Sequence, residues 1–171
     1  MDQTDPKTRF QIRSINTPLD LLAARKLFIA YASSLGISLS FQNFAEELES
    51  LPGPYAPPKG AVFLALSLEN VPIGCVALRP LPSAGRICEM KRLYCTPEAR
   101  GLGVGKALVE QVLREAERLE YEEMRLDTLP DMVGARSIYH RTGFQEIEAY
   151  YQTPLKKTIF LAKKLRTREV E

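Results

Sequence analysis

The sequence predicts a domain of mixed α and β structure, α+β in character, with a mixed sheet covered by helices on both faces. Three observations carry this reading. Apolar runs with strand character interchange with segments whose apolar residues recur at helical spacing. Two strand runs are separated only by a turn, which gives an antiparallel hairpin, while later strands are separated by helices, which gives crossovers. The length, 171 residues, suits one domain spanning 1–171.

The elements follow in order. Phe10 and Ile12 alternate with Gln11 and Arg13, a short strand over 10–15. Thr17-Pro18 is a helix start, Thr17 as N-cap and Pro18 at N1. Leu22, Leu27, Tyr31 and Leu35 then recur at helical spacing until Gly36. Residues 40–51 read as a second helix with Phe41, Phe44, Ala45 and Leu48 on one face. Residues 51–60 (LPGPYAPPKG) hold four prolines and two glycines and must be loop. Residues 61–69 and 71–81 form the hairpin about Asn70. A turn at 81–85 leads to a third strand over 86–95. A glycine loop at 100–105 opens a long helix to about Glu120, whose core face is Val104, Leu108, Val109, Val112, Leu113, Ala116 and Leu119. Glu110 and Arg114 are read as an exposed pair on its outer side. A strand at 123–128 follows. The next helix, 131–142, takes Asp131 as N-cap and Gly143 at C′. Strands at 144–148 and 158–164 close the sheet.

Composition narrows the function. Hydrophobic residues make up 45% and charged residues 26%, the profile of an ordinary globular protein. Twenty-three Lys and Arg against 21 Asp and Glu leave a net charge of +2, too balanced for a general nucleic-acid binder. Cys75, Cys88 and Cys95 form no CxxC pair, and His140 is the sole histidine. Neither a disulfide framework nor a metal site is expected. The opening MDQTDPKTRF has no apolar core of a secretory signal, and no apolar stretch approaches a membrane span. A cytoplasmic protein with no membrane or nucleic-acid partner is the expectation.

The informative segment is Arg100-Gly101-Leu102-Gly103-Val104-Gly105-Lys106, where a strand ends and a helix begins. Glycines let the backbone turn tightly, and free N–H groups at a helix start suit a diphosphate. A nucleotide P-loop would need glycine at position 100 and a hydroxyl after Lys106, and the chain has Arg100 and Ala107. A dinucleotide fingerprint would need its third glycine at Lys106 or Leu108, although Asp127 ends the next strand about where a ribose-binding acid belongs. The pattern [Gln/Arg]-x-x-Gly-x-[Gly/Ala] fits fully at Arg100, Gly103 and Gly105. Here, together with Ala135, Tyr139 and Gly143-Phe144 on and after the late helix, the chain resembles the GNAT superfamily of N-acetyltransferases. The resemblance covers about 61–165. It implies a mostly antiparallel sheet of about seven strands.

The resemblance also implies a chemistry: direct transfer of acetyl from acetyl-CoA to a primary amine, with no metal. Backbone N–H groups of Gly101, Leu102, Gly103, Val104, Gly105 and Lys106, beside Arg100, would hold the diphosphate. The strand end Leu93-Tyr94-Cys95 would offer backbone groups to the pantetheine arm, the Leu93 N–H serving the oxyanion. Glu89, eleven residues before Arg100, is the candidate base. Tyr139 is the candidate acid for the leaving thiolate. For each the alternative of a solvated glutamate or a packing aromatic stays open.

Lys91 shares a face with Glu89 unless a bulge intervenes. With Arg79 or Arg92 it is expected to face an anionic group on the acceptor, which tilts the acceptor toward a small amine bearing a carboxylate. A peptide acceptor remains open. So do a homodimer and a non-catalytic domain that binds or senses acyl-CoA. Tyr150 and Tyr151 are candidates for the acceptor pocket, and His140 is expected to be exposed.

Two departures from the family stand out. Met132 occupies the position of a common cofactor-touching asparagine, and no glycine follows the long helix at Leu119-Glu120-Tyr121. A left-handed non-glycine residue costs about 1 kcal/mol, so a different helix end is expected.

Overall fold

The computed structural model describes residues 9–82 and 84–166. Residues 1–8 of the stretch read for a secretory signal, Ser83 in the turn at 81–85, and 167–171 lie outside them. Among the described residues seven strands and four α-helices follow one another as β1 (Phe10–Ser14), α1 (Pro18–Leu35), α2 (Phe44–Ser50), β2 (Ala61–Ser67), β3 (Pro72–Pro80), β4 (Ile87–Cys95), α3 (Val104–Arg118), β5 (Glu123–Thr128), α4 (Val133–Arg141), β6 (Gln145–Ile147) and β7 (Ile159–Lys164). They form one sheet in the order β1-β2-β3-β4-β5-β7-β6. Every neighbouring pair is antiparallel except β4 with β5.

Strand alternation sends two sets of side chains to opposite faces. On one, Val62, Leu64, Leu66, Cys75 and Ala77 pack under Ala24, Leu27 and Phe28 of α1. On the other, Phe63, Ala65, Val76, Leu78, Cys88 and Met90 pack under Val104, Leu108, Val112 and Ala116 of α3 and Tyr139 of α4. The predicted core face of α3 is the observed one, with Leu119 half-buried at its rim.

Local chemistry explains the ends. The Asp20 N–H donates to Thr17 Oγ1 at 3.1 Å, with Pro18 opening α1. Leu22 was expected on the inner face of α1 and is 48% exposed; the buried face runs through Ala24, Leu27 and Phe28. The expected helix over 40–51 is broken. A 3-10 turn at Ser40–Gln42 ends at Asn43, whose φ of +54° separates it from α2. Asp131 does not cap α4: Met132 holds the N-cap place with no side-chain bond, and the Val133 N–H donates to the Asp131 carbonyl. On α3, Glu110 pairs backward with Lys106 at 3.7 Å, and Arg114 donates to Gln111 instead.

The end of α3 corrects a further expectation. The chain does turn left-handed there without glycine. Glu120 takes φ +63°, and the Tyr121 N–H donates to the Ala116 carbonyl at 3.0 Å. Glu120 is therefore strained. Replacing it by glycine should raise unfolding stability by about 0.5–1 kcal/mol, because its ion pair with Arg86 is exposed and spans 3.8 Å. Urea denaturation of Glu120→Gly checks this; unchanged or lower stability would show the turn to be unstrained.

Candidate active site

The site begins where two strands part. β4 pairs with β5 only at Ile87, Cys88 and Glu89, opposite Glu123, Met124 and Arg125. Beyond Glu89 the two strands diverge, so β4 presents backbone groups on that side that no strand takes up. On its other side β4 carries a bulge. Cys75 faces Tyr94 and Ala77 faces Lys91, so Arg92 and Leu93 together oppose the single residue Val76. Arg92 has φ +61°, a left-handed turn costing about 1–2 kcal/mol. The bulge comes after Lys91. Glu89 and Lys91 therefore keep a common face, and Arg92 turns toward it as well.

On that face the charges close in pairs. Arg79 donates through Nε, at 2.9 Å, to Glu89 Oε1, and the Tyr150 hydroxyl donates to Glu89 Oε2. Arg92 meets Glu47 with two bonds, at 2.9 and 3.0 Å, and donates to Gln42 at 2.8 Å. The Tyr55 hydroxyl donates to Glu47 Oε1 at 2.6 Å, and the rings of Phe44 and Tyr31 lie 5.1 and 5.9 Å from the Arg92 guanidinium carbon. Lys91 donates to Gln42 at 3.2 Å and lies 3.8 Å from Asp127 Oδ2, which also accepts from the Tyr151 hydroxyl.

Burial is the largest influence on Lys91, Arg92 and four tyrosines of this layer. It lowers the Lys91 pKa despite the opposing charges of Asp127 and Glu89. It pushes the Tyr31 phenol up to about 12, and raises Tyr55, Tyr150 and Tyr151, where the carboxylates add to the effect. For Arg92 burial alone would lower the pKa, but Glu47 outweighs it and holds the guanidinium charged.

Two narrow clefts open in the gap between β4 and β5. The inner one is lined by Lys91, Arg92, Leu93, Asp127 and Tyr139, the outer one by residues of the 35–42 and 151–158 segments, and both share Tyr31, Asp127 and Met132. The Tyr139 ring packs edge-on against Phe144 at 5.7 Å. Its phenol has no hydrogen-bond partner among the described residues, and burial raises its pKa, so it keeps its proton at neutral pH. A cavity of about 730 Å³ lies elsewhere, at the C-terminal end of α3 beside Pro57, Pro58, Arg118 and Leu119.

The glycine loop follows the end of β4, between Cys95 and the start of α3. Gly101 and Gly103 have φ +77° and +79°, and a side chain at either would meet nothing within 4 Å. The conformation, not crowding, calls for glycine. The N–H groups of Gly101, Gly103, Val104, Gly105 and Lys106 have no acceptor among the described residues, whereas the Leu102 N–H donates to Ala99. Five free donors at the start of a 15-residue helix match a diphosphate. Arg100 and Lys106 are exposed beside them, Tyr94 and Cys95 are half-buried at the end of β4, and His140 is exposed as expected.

The sequence-predicted residues thus fall into two groups. Lys91, Leu93 and Tyr139 line the inner cleft of the β4–β5 gap, whereas Tyr94, Cys95 and the loop follow at and beyond the end of β4 and line neither cleft. Glu89 does not reach the gap: the side chain is 1% exposed and lines neither cleft. Arg92, expected to face substrate, is closed by Glu47, so it fastens α2 to the sheet. Reasoning from sequence missed Asp127 as a group of this site, and it missed Tyr31 and Gln42. Asp127 had been noted at the end of its strand, and its alternation with Arg125 and Glu123 was the available signal. Burial also pushes the thiols of Cys75 and Cys88 well up, and that of Cys95 to about 11.

The profile of the acetyltransferase (GNAT) family matches residues 29–144. This chain belongs to that family. It is 36% identical over 154 residues to an uncharacterized N-acetyltransferase of Schizosaccharomyces pombe, covering 90% of this chain and 94% of the relative. A second uncharacterized N-acetyltransferase, from Dictyostelium discoideum, is 32% identical over 200 aligned positions, with 82% and 92% covered. The fold matches a GNAT-family acetyltransferase of Staphylococcus aureus with TM-score 0.75 at 19% identity, covering 92% and 99%. It also matches a GNAT-superfamily phosphinothricin acetyltransferase of Sinorhizobium meliloti, solved with AcCoA, with TM-score 0.67 at 19% identity, covering 92% and 89%. The GNAT chain is an acetyl-CoA-dependent acyltransferase. Among the described residues no cluster of three His, Cys, Asp or Glu is placed for a metal ion, and no helix is long and apolar enough to cross a membrane.

The closed pairs give two tests. Glu47→Gln leaves the Arg92 charge buried without its partner and should cost about 3–5 kcal/mol of unfolding stability; a loss below about 1 kcal/mol would mean that Arg92 is not fixed by Glu47. Lys91 is held below its ordinary 10.5, so the unfolded chain binds more protons between the two values. Wild type should therefore gain stability relative to Lys91→Met as pH rises through Lys91's lowered pKa toward 10.5. Parallel stability–pH curves would contradict the shift.

Proposed function

We propose that this GNAT protein moves the acetyl group of acetyl-CoA directly to a primary amine. The observation that carries this reading is the set of five free loop N–H groups that comes next in the chain after a β4 whose pairing with β5 stops at Glu89. The donors suit the diphosphate, and the unpaired edge of β4 suits the pantetheine arm.

Acetyl-CoA brings the activated acyl group, a thioester. The chain's own residues supply position and proton traffic. The N–H groups of Gly101 and Gly103 to Lys106 hold the diphosphate, with Arg100 and Lys106 adding positive charge. Leu102, whose N–H is taken by Ala99, shapes the turn. Leu93, Tyr94 and Cys95 line the course of the arm, and the Leu93 N–H, set by the bulge, takes the oxyanion. Asp127 is the carboxylate that opens into the clefts, and it takes the amine's proton. Tyr139, protonated and unpartnered, gives a proton to the departing sulfur. Glu89 works one step removed, as a positioning residue: it fixes Arg79 and Tyr150, and Tyr150 packs on Tyr151, which bonds Asp127.

Titration calorimetry with acetyl-CoA, followed by thiol release in the presence of amines, tests the reading. Tyr139→Phe should lower kcat about 100-fold with acetyl-CoA affinity unchanged. An undiminished kcat would remove Tyr139 from the chemistry. Acetyl-CoA binding with no turnover on any amine would favour a sensing domain.

A further inference from the structure

The charges that face the clefts select the amine; this deepens the N-acetyltransferase reading and rests on it. Glu47 and Glu89 are enclosed by arginines and tyrosines. Asp127 is different: its side chain is 16% exposed. Its Oδ2 faces Tyr151 and Lys91, while its Oδ1 has no partner among the described residues. The outer cleft above it is walled by Leu35, Ile37, Leu39, Phe41, Leu129 and Leu155, with the neutral polar groups of Gln42, Thr128, Tyr151 and Thr158 among them, and holds no cation. The cations of the inner cleft are Lys91 and Arg92. Arg92 is neutralised by Glu47, and Lys91 is held between Gln42 and Asp127.

A carboxylate beside the reacting nitrogen would therefore meet Asp127, an engaged lysine and walls whose polar groups are all neutral, and its charge would go uncompensated. An ammonium meets the open Asp127 oxygen and the rings of Tyr31 and Tyr151. Each cleft has a volume of about 20 Å³, room for about one water. The amine head must be slender to displace it.

We propose that the acceptor is an unbranched primary amine on an apolar, uncharged body, its ammonium seated on Asp127 Oδ1 and its body against Leu35, Ile37 and Leu155. This replaces the carboxylate-bearing acceptor suggested by Lys91 and Arg92 in the sequence. The positive charge of Lys91 next to the seat eases loss of the ammonium proton, and that proton passes to Asp127. The neutral nitrogen then attacks the thioester carbon and the C–S bond breaks. The second nitrogen proton is shed to water, Asp127 passes its proton on to water, the thiolate takes the Tyr139 proton, and the phenolate recovers one from water. The products are an N-substituted acetamide and free CoA thiol.

The test uses the full chain with acetyl-CoA and four amines: 2-phenylethylamine, hexylamine, phenylalanine and glutamate. Thiol release and mass spectrometry of the acetylated product are the readouts. The kcat/KM for 2-phenylethylamine should exceed that for phenylalanine by at least about 10-fold. Asp127→Asn should raise the KM for 2-phenylethylamine about 10–100-fold and leave the calorimetric Kd for acetyl-CoA unchanged. Preference for phenylalanine or glutamate would overturn this acceptor class and leave acetyl transfer standing. An equal loss of acetyl-CoA affinity in Asp127→Asn would overturn the amine seat. Acetyl-CoA bound without thiol release to any amine would overturn both readings. Should the Asn variant fail to fold, Asp127→Ser and the wild-type ranking decide the matter.

Discussion

Once β4 has paired with β5 through Glu89, nothing continues the ladder, and the rest of the site depends on that interruption. A parallel pair that stayed zipped to its end would bury the main-chain groups around Leu93 in sheet hydrogen bonds. Because it opens, Asp127 on one strand and Lys91 on the other look into a shared space. Tyr139 on α4 reaches it from the α3 side of the sheet, and Tyr31 on α1 from the other. The start of α3, with its free N–H groups, follows a short way along the chain from the end of β4.

Holding the gap open requires that the bulge at Arg92 be over-determined. A left-handed arginine in a strand would relax if it were free to do so. It is bound by Glu47 twice, by Gln42 once, and flanked by two aromatic rings. The bonds that compensate its strain also dock α2, which is too short to stand by itself. Charge placed on this face thus serves architecture before chemistry. Asp127 is the carboxylate of the layer left part open.

Much of the fold was legible because its signals are local. Thr17-Pro18, the prolines and glycines of 51–60, the apolar hairpin and the period of α3 each depend on residues close in sequence. The loop at Arg100 to Gly105 was legible for the same reason. What the sequence hid was pairing at a distance. The partnership of Arg92 with Glu47 spans 45 residues, and that of Glu89 with Tyr150 spans 61. No periodicity announces either. Read alone, Glu89 looked like a base and Arg92 like a substrate contact, because nothing nearby in the chain shows that each is already engaged. The end of α3 misled in the opposite sense, since Glu120 adopts the geometry that its side chain disfavours.

Burial of the three cysteines has a practical side. A thiol whose pKa is raised carries almost no thiolate near neutrality, and thiolate is the form that attacks an aromatic disulfide or an alkylating reagent. Coenzyme A freed by turnover is an ordinary exposed thiol, so it reacts far sooner than the protein's own sulfurs. A colorimetric disulfide reagent can consequently stay in the cuvette during catalysis and register product continuously, with little background from the enzyme.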